Sequence, residues 1–199
     1  LNRDLLIGDI CHARGGPALT GHVSHQNGLD VDIWFKTIES SNESLSLGQR
    51  ETISAYSVLI GKLGLNQKLW TERDRKILEI LISDERVQRI FVNPVIKKDL
   101  CENAQLDEVT LRKIRPWYGH DDHYHVRLHC PESDKNCIAQ QDPPEVDTCK
   151  EELTWWLEEM VRDDGAVPEP GRDPQEEYNR RLQALPKLCK EILGINKRK

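Results

Sequence analysis

The seven histidines of this 199-residue chain fall into two short windows, separated by more than ninety residues without one. They are His12, His22 and His25 in the first window, and His120, His123, His125 and His129 in the second. Both windows also carry aspartates. Imidazole and carboxylate groups bind zinc, and three such protein ligands leave a fourth position for water, which is typical of catalytic sites. A lone histidine is more often a hydrogen-bonded structural residue, an interpretation that we keep for His12 and His129.

Two segments with a period of two would position these groups. In residues 28–35, Leu29, Val31, Ile33 and Phe35 point one way, whereas Asp30, Asp32 and Trp34 point the other way. This alternation predicts a strand with an apolar underside and two carboxylates on its exposed face. Residues 123–129 alternate in the same manner, so that His123, His125, Arg127 and His129 share one face. Two histidines facing Asp32, with His25 on the preceding loop, would complete a set of two histidines and one carboxylate.

The remaining elements follow from apolar spacing and from helix-capping residues. Apolar residues at 53, 56, 59, 60 and 63 predict a helix that ends at Gly64, and Thr71 is expected to cap a second helix. A strand over 89–92 precedes a helix opened by Pro94, and residues 116–119 form a turn. Further helices are expected over 149–161 and 176–193, with a linker at 165–174.

The predicted fold is α+β, with one small antiparallel sheet that carries the metal site and helices that flank it. Residues 1–149 would form the domain that carries the metal site, and residues 150–199 a helical C-terminal extension packed on it and linked to it by disulfides.

Composition narrows the classes of partner. The net charge is −6 and the Lys and Arg residues form no block, which argues against nucleic acid as a partner. No apolar run approaches the ~20 residues of a membrane span, and no apolar stretch of a signal peptide follows residues 1–4. Six cysteines lack a Cys-x-x-Cys pair. Any one of them could be a buried thiol, but the set favours disulfides in an oxidising compartment over a zinc finger.

Four segments together resemble the penicillin-insensitive murein endopeptidases. They are Arg14-Gly-Gly-Pro17, residues 21–34 (GHVSHQNGLDVDIW), residues 89–94 (RIFVNP) and residues 115–128 (RPWYGHDDHYHVRL). The wider group of zinc peptidases, which includes D-Ala-D-Ala carboxypeptidases and dipeptidases, shares a His-x6-Asp and a His-x-His signature. His25 with Asp32 satisfies the first signature, and His123 with His125 satisfies the second.

The resemblance implies one zinc ion per chain, held by His25, Asp32 and His125. It implies that His123 is the catalytic base and that His120 is a second active-site histidine that contacts substrate or intermediate. His22 resembles a histidine associated with an extra metal in the family. In the family this histidine is accompanied by an Asp-x-x-His motif further along the chain, and that motif is missing here. Contact with the substrate is therefore as good an interpretation of His22 as binding of a second metal.

Further roles are expected for charged residues and cysteines near these motifs. Arg14 could reach a substrate carboxylate or a developing oxyanion, and Asp30, Asp121 and Asp122 could orient ligand rings through hydrogen bonds. The resemblance also implies disulfides Cys101–Cys149 and Cys130–Cys137, and elimination then pairs Cys11 with Cys189.

The function implied by the resemblance is that of a periplasmic metallo-endopeptidase. It would hydrolyse D-alanyl–meso-diaminopimelyl cross-links of peptidoglycan by attack of metal-bound water. Penicillin traps serine nucleophiles, and the chain has no Ser-x-x-Lys motif. One alternative is a D,D-carboxypeptidase or dipeptidase with the same chemistry. Another is a zinc-stabilised wall-binding module without turnover, although such a module has no use for His123. Metal storage would need more soft ligands.

Overall fold

The computed structural model describes residues 3–17, 24–39, 44–162 and 174–194. The strands in these ranges are β1 (Arg3–Ile7), β2 (Asp30–Glu39), β3 (Leu59–Ile60), β4 (Gly64–Leu65), β5 (Val87–Val92), β6 (Ile114–Pro116) and β7 (His123–Leu128). The helices are α1 (Leu47–Thr52), α2 (Glu72–Ser83), α3 (Pro94–Asn103), α4 (Glu108–Lys113), α5 (Glu151–Arg162), α6 (Pro174–Ala184) and α7 (Lys187–Ile192). The chain therefore combines a small sheet with helices, as predicted.

Five strands form the main sheet, in the order β1-β2-β7-β5-β6, while β3 and β4 pair separately as a hairpin. The pairs β1–β2, β2–β7 and β7–β5 are antiparallel, but β5 and β6 are parallel. The prediction of an antiparallel sheet therefore holds for β1, β2, β7 and β5, and it is wrong for β6. The chain between β5 and β6 passes through α3 and α4, and a helical crossover of this kind returns a strand in the parallel direction.

The predicted alternation along β2 and β7 is confirmed, but the face that carries Asp30 and Asp32 is not exposed as expected, because both carboxylates are buried. Core residues on one face of the sheet include Ile33 and Phe35 of β2 and Tyr124 and Val126 of β7, and they form one apolar cluster with residues of α2 and α3. The opposite face carries the polar residues of the same strands. Register places Asp32 directly opposite His125, so two of the predicted metal ligands are neighbours across the sheet.

Three aromatic rings fix the position of β7 in the core. Phe35 meets Trp70 and Tyr124 edge to face, with ring centroids 5.2 and 4.6 Å apart. The Tyr124 hydroxyl donates to the carbonyl of Asp74 in α2 at 2.7 Å, so its polar end is satisfied inside the core. Because Tyr124 separates His123 from His125 in the chain, this packing also holds the two histidines in place.

The predicted helix over residues 53–63 does not form. Helix α1 ends at Thr52, and the following chain runs extended into the β3–β4 hairpin. The backbone of Val58 bonds to distant partners: its N–H donates to Asp121 and its carbonyl accepts from Asn66, both at 2.8 Å. Gly61 has a φ of +62°, which suits a turn and not a helix. Tertiary hydrogen bonds thus outweighed an apolar spacing that also fits a helix.

The predicted last helix is two helices, α6 and α7, separated at Pro186. Proline lacks a backbone N–H and disfavours helical conformation at the residue before it, which explains the break. The predicted linker lies outside the described residues apart from Pro174, which begins α6. Among the described residues, no helix is long and apolar enough to cross a membrane.

Two disulfides are present, Cys101–Cys149 and Cys130–Cys137, as the resemblance implied. The first joins α3 to the segment that leads into α5 and closes a loop of 48 residues, which restricts the unfolded chain. The bridge expected by elimination is absent from the structure, where Cys11 and Cys189 are free thiols.

Candidate active site

One carboxylate oxygen lies at the centre of the histidine cluster. Oδ1 of Asp32 is 3.2 Å from Nε2 of His25, 3.5 Å from Nε2 of His123 and 3.5 Å from Nδ1 of His125. Burial raises the pKa of Asp32, but the His25 hydrogen bond and the neighbouring imidazoles outweigh this effect and lower the pKa overall. Asp32 therefore stays ionised although its side chain is only 4 % exposed.

His25 belongs to the turn before β2 and is held by its own hydrogen bond. Its Nδ1 donates to the carbonyl of Ile10 at 3.0 Å, which leaves Nε2 facing Asp32. The turn packs against the Arg14-Gly-Gly segment, where the Gly16 N–H donates to Gln26 at 2.8 Å. A Cβ at Gly15 would lie 2.5 Å from the same carbonyl oxygen, so only glycine fits there. Both glycines thus serve to position the turn that carries His25.

His125 is oriented from the opposite side of the site. Its Nε2 lies 2.9 Å from Oδ1 of Asp30, which is fully buried, and Asp30 also forms an ion pair with Arg127. This arrangement leaves Nδ1 of His125 directed at Asp32. A carboxylate hydrogen-bonded to the second ring nitrogen is the usual support of a metal-binding histidine.

Two groups of three side chains among the described residues could hold a metal ion. One is His25, Asp32 and His125, and the other is His120, His123 and His125. Within each group, the candidate ligand atoms all lie within 4.8 Å of one another. All three members of the first group are buried, whereas His120 and His123 of the second group are only partly buried.

His123 and His120 differ in their ease of protonation. Burial lowers the pKa of His123, but the hydrogen bond to Asp122, at 2.5 Å, and the charge of Asp32 raise it overall. Burial and the charges of His123 and His125 lower the pKa of His120 to about 4, so that ring is neutral near pH 7. The Nδ1 of His120 donates to the carbonyl of Tyr118 at 2.7 Å, and its backbone has a left-handed φ of 52°.

A cavity of about 710 Å³ opens onto this cluster. Its lining includes His25, Asp32, His120, His123 and His125, together with an aromatic group made by Trp117, Tyr118 and Trp156. Trp156 of α5 packs against both others, with ring centroids 5.3 and 4.8 Å apart. The cavity is large enough for a peptide segment, and its lining pairs titratable groups with aromatic walls.

The structure thus brings together five of the predicted site residues. Arg14 is exposed and lines a different cavity, beside Tyr178 and Leu182 of α6, and His22 lies outside the described residues. Arg89, Arg115, Glu152 and Trp156 also line the main cavity, and none of them was predicted as a site residue. The period-two pattern could have indicated Arg89, which is two residues from Phe91 on the same strand. Glu152 and Trp156 gave no sequence signal, because only the tertiary fold brings α5 to the site.

Comparison with known proteins gives a consistent result. A sequence model of the family described as penicillin-insensitive murein endopeptidase matches residues 1–194. A protein of that name from Haemophilus influenzae is 36 % identical over 195 residues, 98 % of this chain and 64 % of the relative. One from Yersinia enterocolitica is 40 % identical over 154 residues, 77 % of this chain and 55 % of the relative. The chain therefore spans little more than half to about two thirds of the length of these relatives. It belongs to the penicillin-insensitive murein endopeptidase family.

Proposed function

We propose that the chain is a zinc-dependent endopeptidase that hydrolyses D-alanyl–meso-diaminopimelyl cross-links in peptidoglycan. The observation that carries the proposal is the convergence of three imidazole nitrogens on Oδ1 of Asp32 inside a peptide-sized cavity. The names of the relatives support the murein substrate and the cutting of internal bonds.

The residues that would hold the zinc ion are His25, Asp32 and His125. Their donor set, two imidazoles and one carboxylate, is one that catalytic zinc sites use. The ring nitrogen that does not face Asp32 is already hydrogen-bonded in both histidines: Nδ1 of His25 to the carbonyl of Ile10, and Nε2 of His125 to Asp30. Both rings are therefore oriented before any ion binds. Zinc bound there would lower the pKa of a water molecule and polarise the scissile carbonyl.

His123 is the proposed base, since it lies beside Asp32 and its pKa is raised by Asp122 and Asp32. Its Nδ1 is bonded to Asp122, so Nε2 is the atom that would accept a proton and later donate it to the leaving amine. His120 is neutral near pH 7 and lines the cavity beside His123, which suits it for a hydrogen bond to substrate.

Two smaller assignments remain proposals. His22 is three residues before His25 in the chain and could assist a second metal or contact substrate. Arg14 would act on substrate only where the peptide extends to the second cavity, which Arg14 lines. We also place the protein in the periplasm, because its substrate would be the cell wall and two disulfides suit an oxidising compartment.

The test uses purified cross-linked muropeptide dimers and separation of the products by mass. We expect monomers to appear with zinc present and not with a chelator, and zinc to restore the reaction. Release of free D-alanine from a monomeric pentapeptide at a comparable rate would instead assign a D,D-carboxypeptidase. Binding to peptidoglycan without any cleavage would assign a wall-binding module.

A further inference from the structure

A second row of side chains lies beside the candidate metal site on the same face of the sheet. Arg127 of β7 is opposite Asp30 of β2 on one side and opposite Arg89 of β5 on the other. Same-face positions two apart along a strand are roughly 6.6 Å apart. Arg127 is therefore one such step from His125, and Arg89 is one step from Phe91, which is itself opposite His125.

A third arginine comes from the neighbouring strand. Register places Arg115 of β6 opposite Phe91 of β5. Arg89, Arg115 and Arg127 all line the cavity that contains His25, Asp32 and His125. Three guanidinium groups thus border the same space as the proposed zinc ligands.

The three arginines differ in their partners. Arg127 pairs with Asp30, and Arg115 pairs with Glu152. Arg89 donates instead to the carbonyl of Gln141 and to the side chain of Gln88, and no described carboxylate lies within ion-pair distance of it.

Arg89 is nevertheless only 9 % exposed. Burial and the charges of Arg115 and Arg127 lower the pKa of Arg89, and the charges of Asp142 and Asp30 offset only part of this effect. Burial of a cation whose charge is only partly offset is costly, so a ligand that supplied an anion would stabilise Arg89.

Two of the arginines that line the cavity also have an unused donor. Among the described residues, Nη1 of Arg115 and Nε of Arg127 are buried without a hydrogen-bond partner, and so is Oε2 of Glu152. Buried polar atoms are normally hydrogen-bonded, so arginines that border a cavity and keep unused donors are suited to a ligand with acceptor atoms. Guanidinium groups match the two oxygens of a carboxylate particularly well.

We propose that Arg89, Arg115 and Arg127 form an anion subsite, which binds the carboxylate on the carbon next to the scissile nitrogen of the substrate. The identity of that peptide rests on the proposed function. In a D-alanyl–diaminopimelyl cross-link, the scissile nitrogen is attached to a carbon that bears a free carboxylate. The subsite would hold this carboxylate one strand position from His125 while the scissile carbonyl faces Asp32 and His123. The remaining oxygen of Glu152 could accept an N–H of the same peptide.

The test measures binding separately from turnover. The probes are the tetrapeptide muropeptide monomer, which is a product and is not cleaved, and the same monomer amidated only at the diaminopimelyl carboxylate. Calorimetry with the wild-type protein is expected to give at least ~10-fold tighter binding for the free carboxylate, since charge-assisted hydrogen bonds are lost in the amide. Arg89→Met should abolish this preference, and Arg89→Lys should retain only part of it. Arg86→Ala is the matched control, because Arg86 is 82 % exposed and pairs with Asp84.

Equal binding of the two monomers by the wild-type protein would overturn the subsite, and this comparison holds even if an Arg89 variant fails to fold. A full preference retained in a folded Arg89→Met protein would overturn it as well. With dimers as substrate, amidation should lower kcat/KM in the wild-type protein and have little effect in Arg89→Met. A protein that keeps the binding preference but cleaves no dimer would support the subsite and overturn the proposed function, so the two failures are distinguishable.

Discussion

At the residue scale, the three imidazoles around Asp32 have different surroundings, so their roles can be separated. We expect His125→Ala to lose zinc and activity together, because a ligand is removed. His123→Ala should keep zinc but lose roughly 10²- to 10⁴-fold in turnover, the usual effect of removing a general base. The loss should lie in kcat more than in KM. Metal analysis and steady-state kinetics on both variants measure this, and a zinc-free His123→Ala protein would show that ligand and base have been exchanged.

Lys97 permits a second prediction, on stability. It is fully buried in α3, and Nζ donates to the carbonyl of Leu111 at 2.6 Å. Burial, together with the charge of Arg115, lowers its pKa from 10.5 to about 7. Between these values the unfolded chain binds the proton and the folded chain does not, so the free energy of unfolding rises with pH. Below pH 7 both states hold the proton, and the contribution of Lys97 is at its least favourable.

Urea denaturation of the wild-type protein and of Lys97→Met over this pH range measures the effect. As pH rises, the unfolding free energy of the wild-type protein should increase relative to that of Lys97→Met. Each unit of pKa shift is worth ~1.4 kcal/mol, so the total change should reach a few kcal/mol. Lys98→Met is the control, since its neighbour Lys98 is 52 % exposed. Parallel curves for the wild-type protein and Lys97→Met would contradict the prediction.

The residues that the sequence could predict are those with short-range patterns. His25, Asp32, His123 and His125 belong to two spaced signatures, each on or beside a period-two strand, and the structure brings them within 3.5 Å of a common oxygen. Arg115 begins one of the four segments that resemble the family, but no spacing marks it as a site residue, and Glu152 lies outside those segments. They meet because α5 returns to the sheet, which local sequence does not specify.

At the element scale, α5 is the least expected part of the site. It follows the Cys101–Cys149 bridge, and it contributes Glu152 and Trp156 to the cavity. We expect Trp156→Ala to lower kcat/KM for dimers about 10-fold or more while zinc is retained, because a wall of the cavity is lost. Trp155→Ala is a matched control, since Trp155 is adjacent, equally large and 51 % exposed. Similar kinetics for both variants would show that α5 does not contribute to substrate binding.

Helices and strands were predictable where a local pattern in the sequence determined them. The strands of the site, β2 and β7, and the capped helices α2 and α3 appear as expected, since alternation and capping act over a few residues. The helix predicted over 53–63 was wrong because the bonds of Val58 to Asp121 and Asn66 are tertiary. The parallel pairing of β5 and β6 was missed for the same reason. The assignment of 150–199 as a separate extension stays a prediction.

At the scale of the whole molecule, the proposed zinc ligands join parts of the chain that are far apart in sequence. His25 precedes β2, Asp32 lies in β2, and His125 lies in β7, about ninety residues later. The unfolded chain cannot offer these three groups together. An ion that binds only the folded chain stabilises it by an amount set by its concentration relative to Kd.

Zinc should therefore raise the unfolding temperature of the intact chain. At a free concentration of 100 times Kd, the gain is ~2.7 kcal/mol. In a chain of this size, 1 kcal/mol corresponds to roughly 2–4 °C, so we expect an increase of about 5–10 °C by scanning calorimetry. Asp32→Ala should show little of this increase, because the substitution removes the carboxylate oxygen at the centre of the site. Asp134→Ala, a change of an exposed aspartate in the Cys130–Cys137 loop, should respond as the wild-type protein does. An equal increase in Asp32→Ala would mean that zinc stabilises the protein from somewhere else.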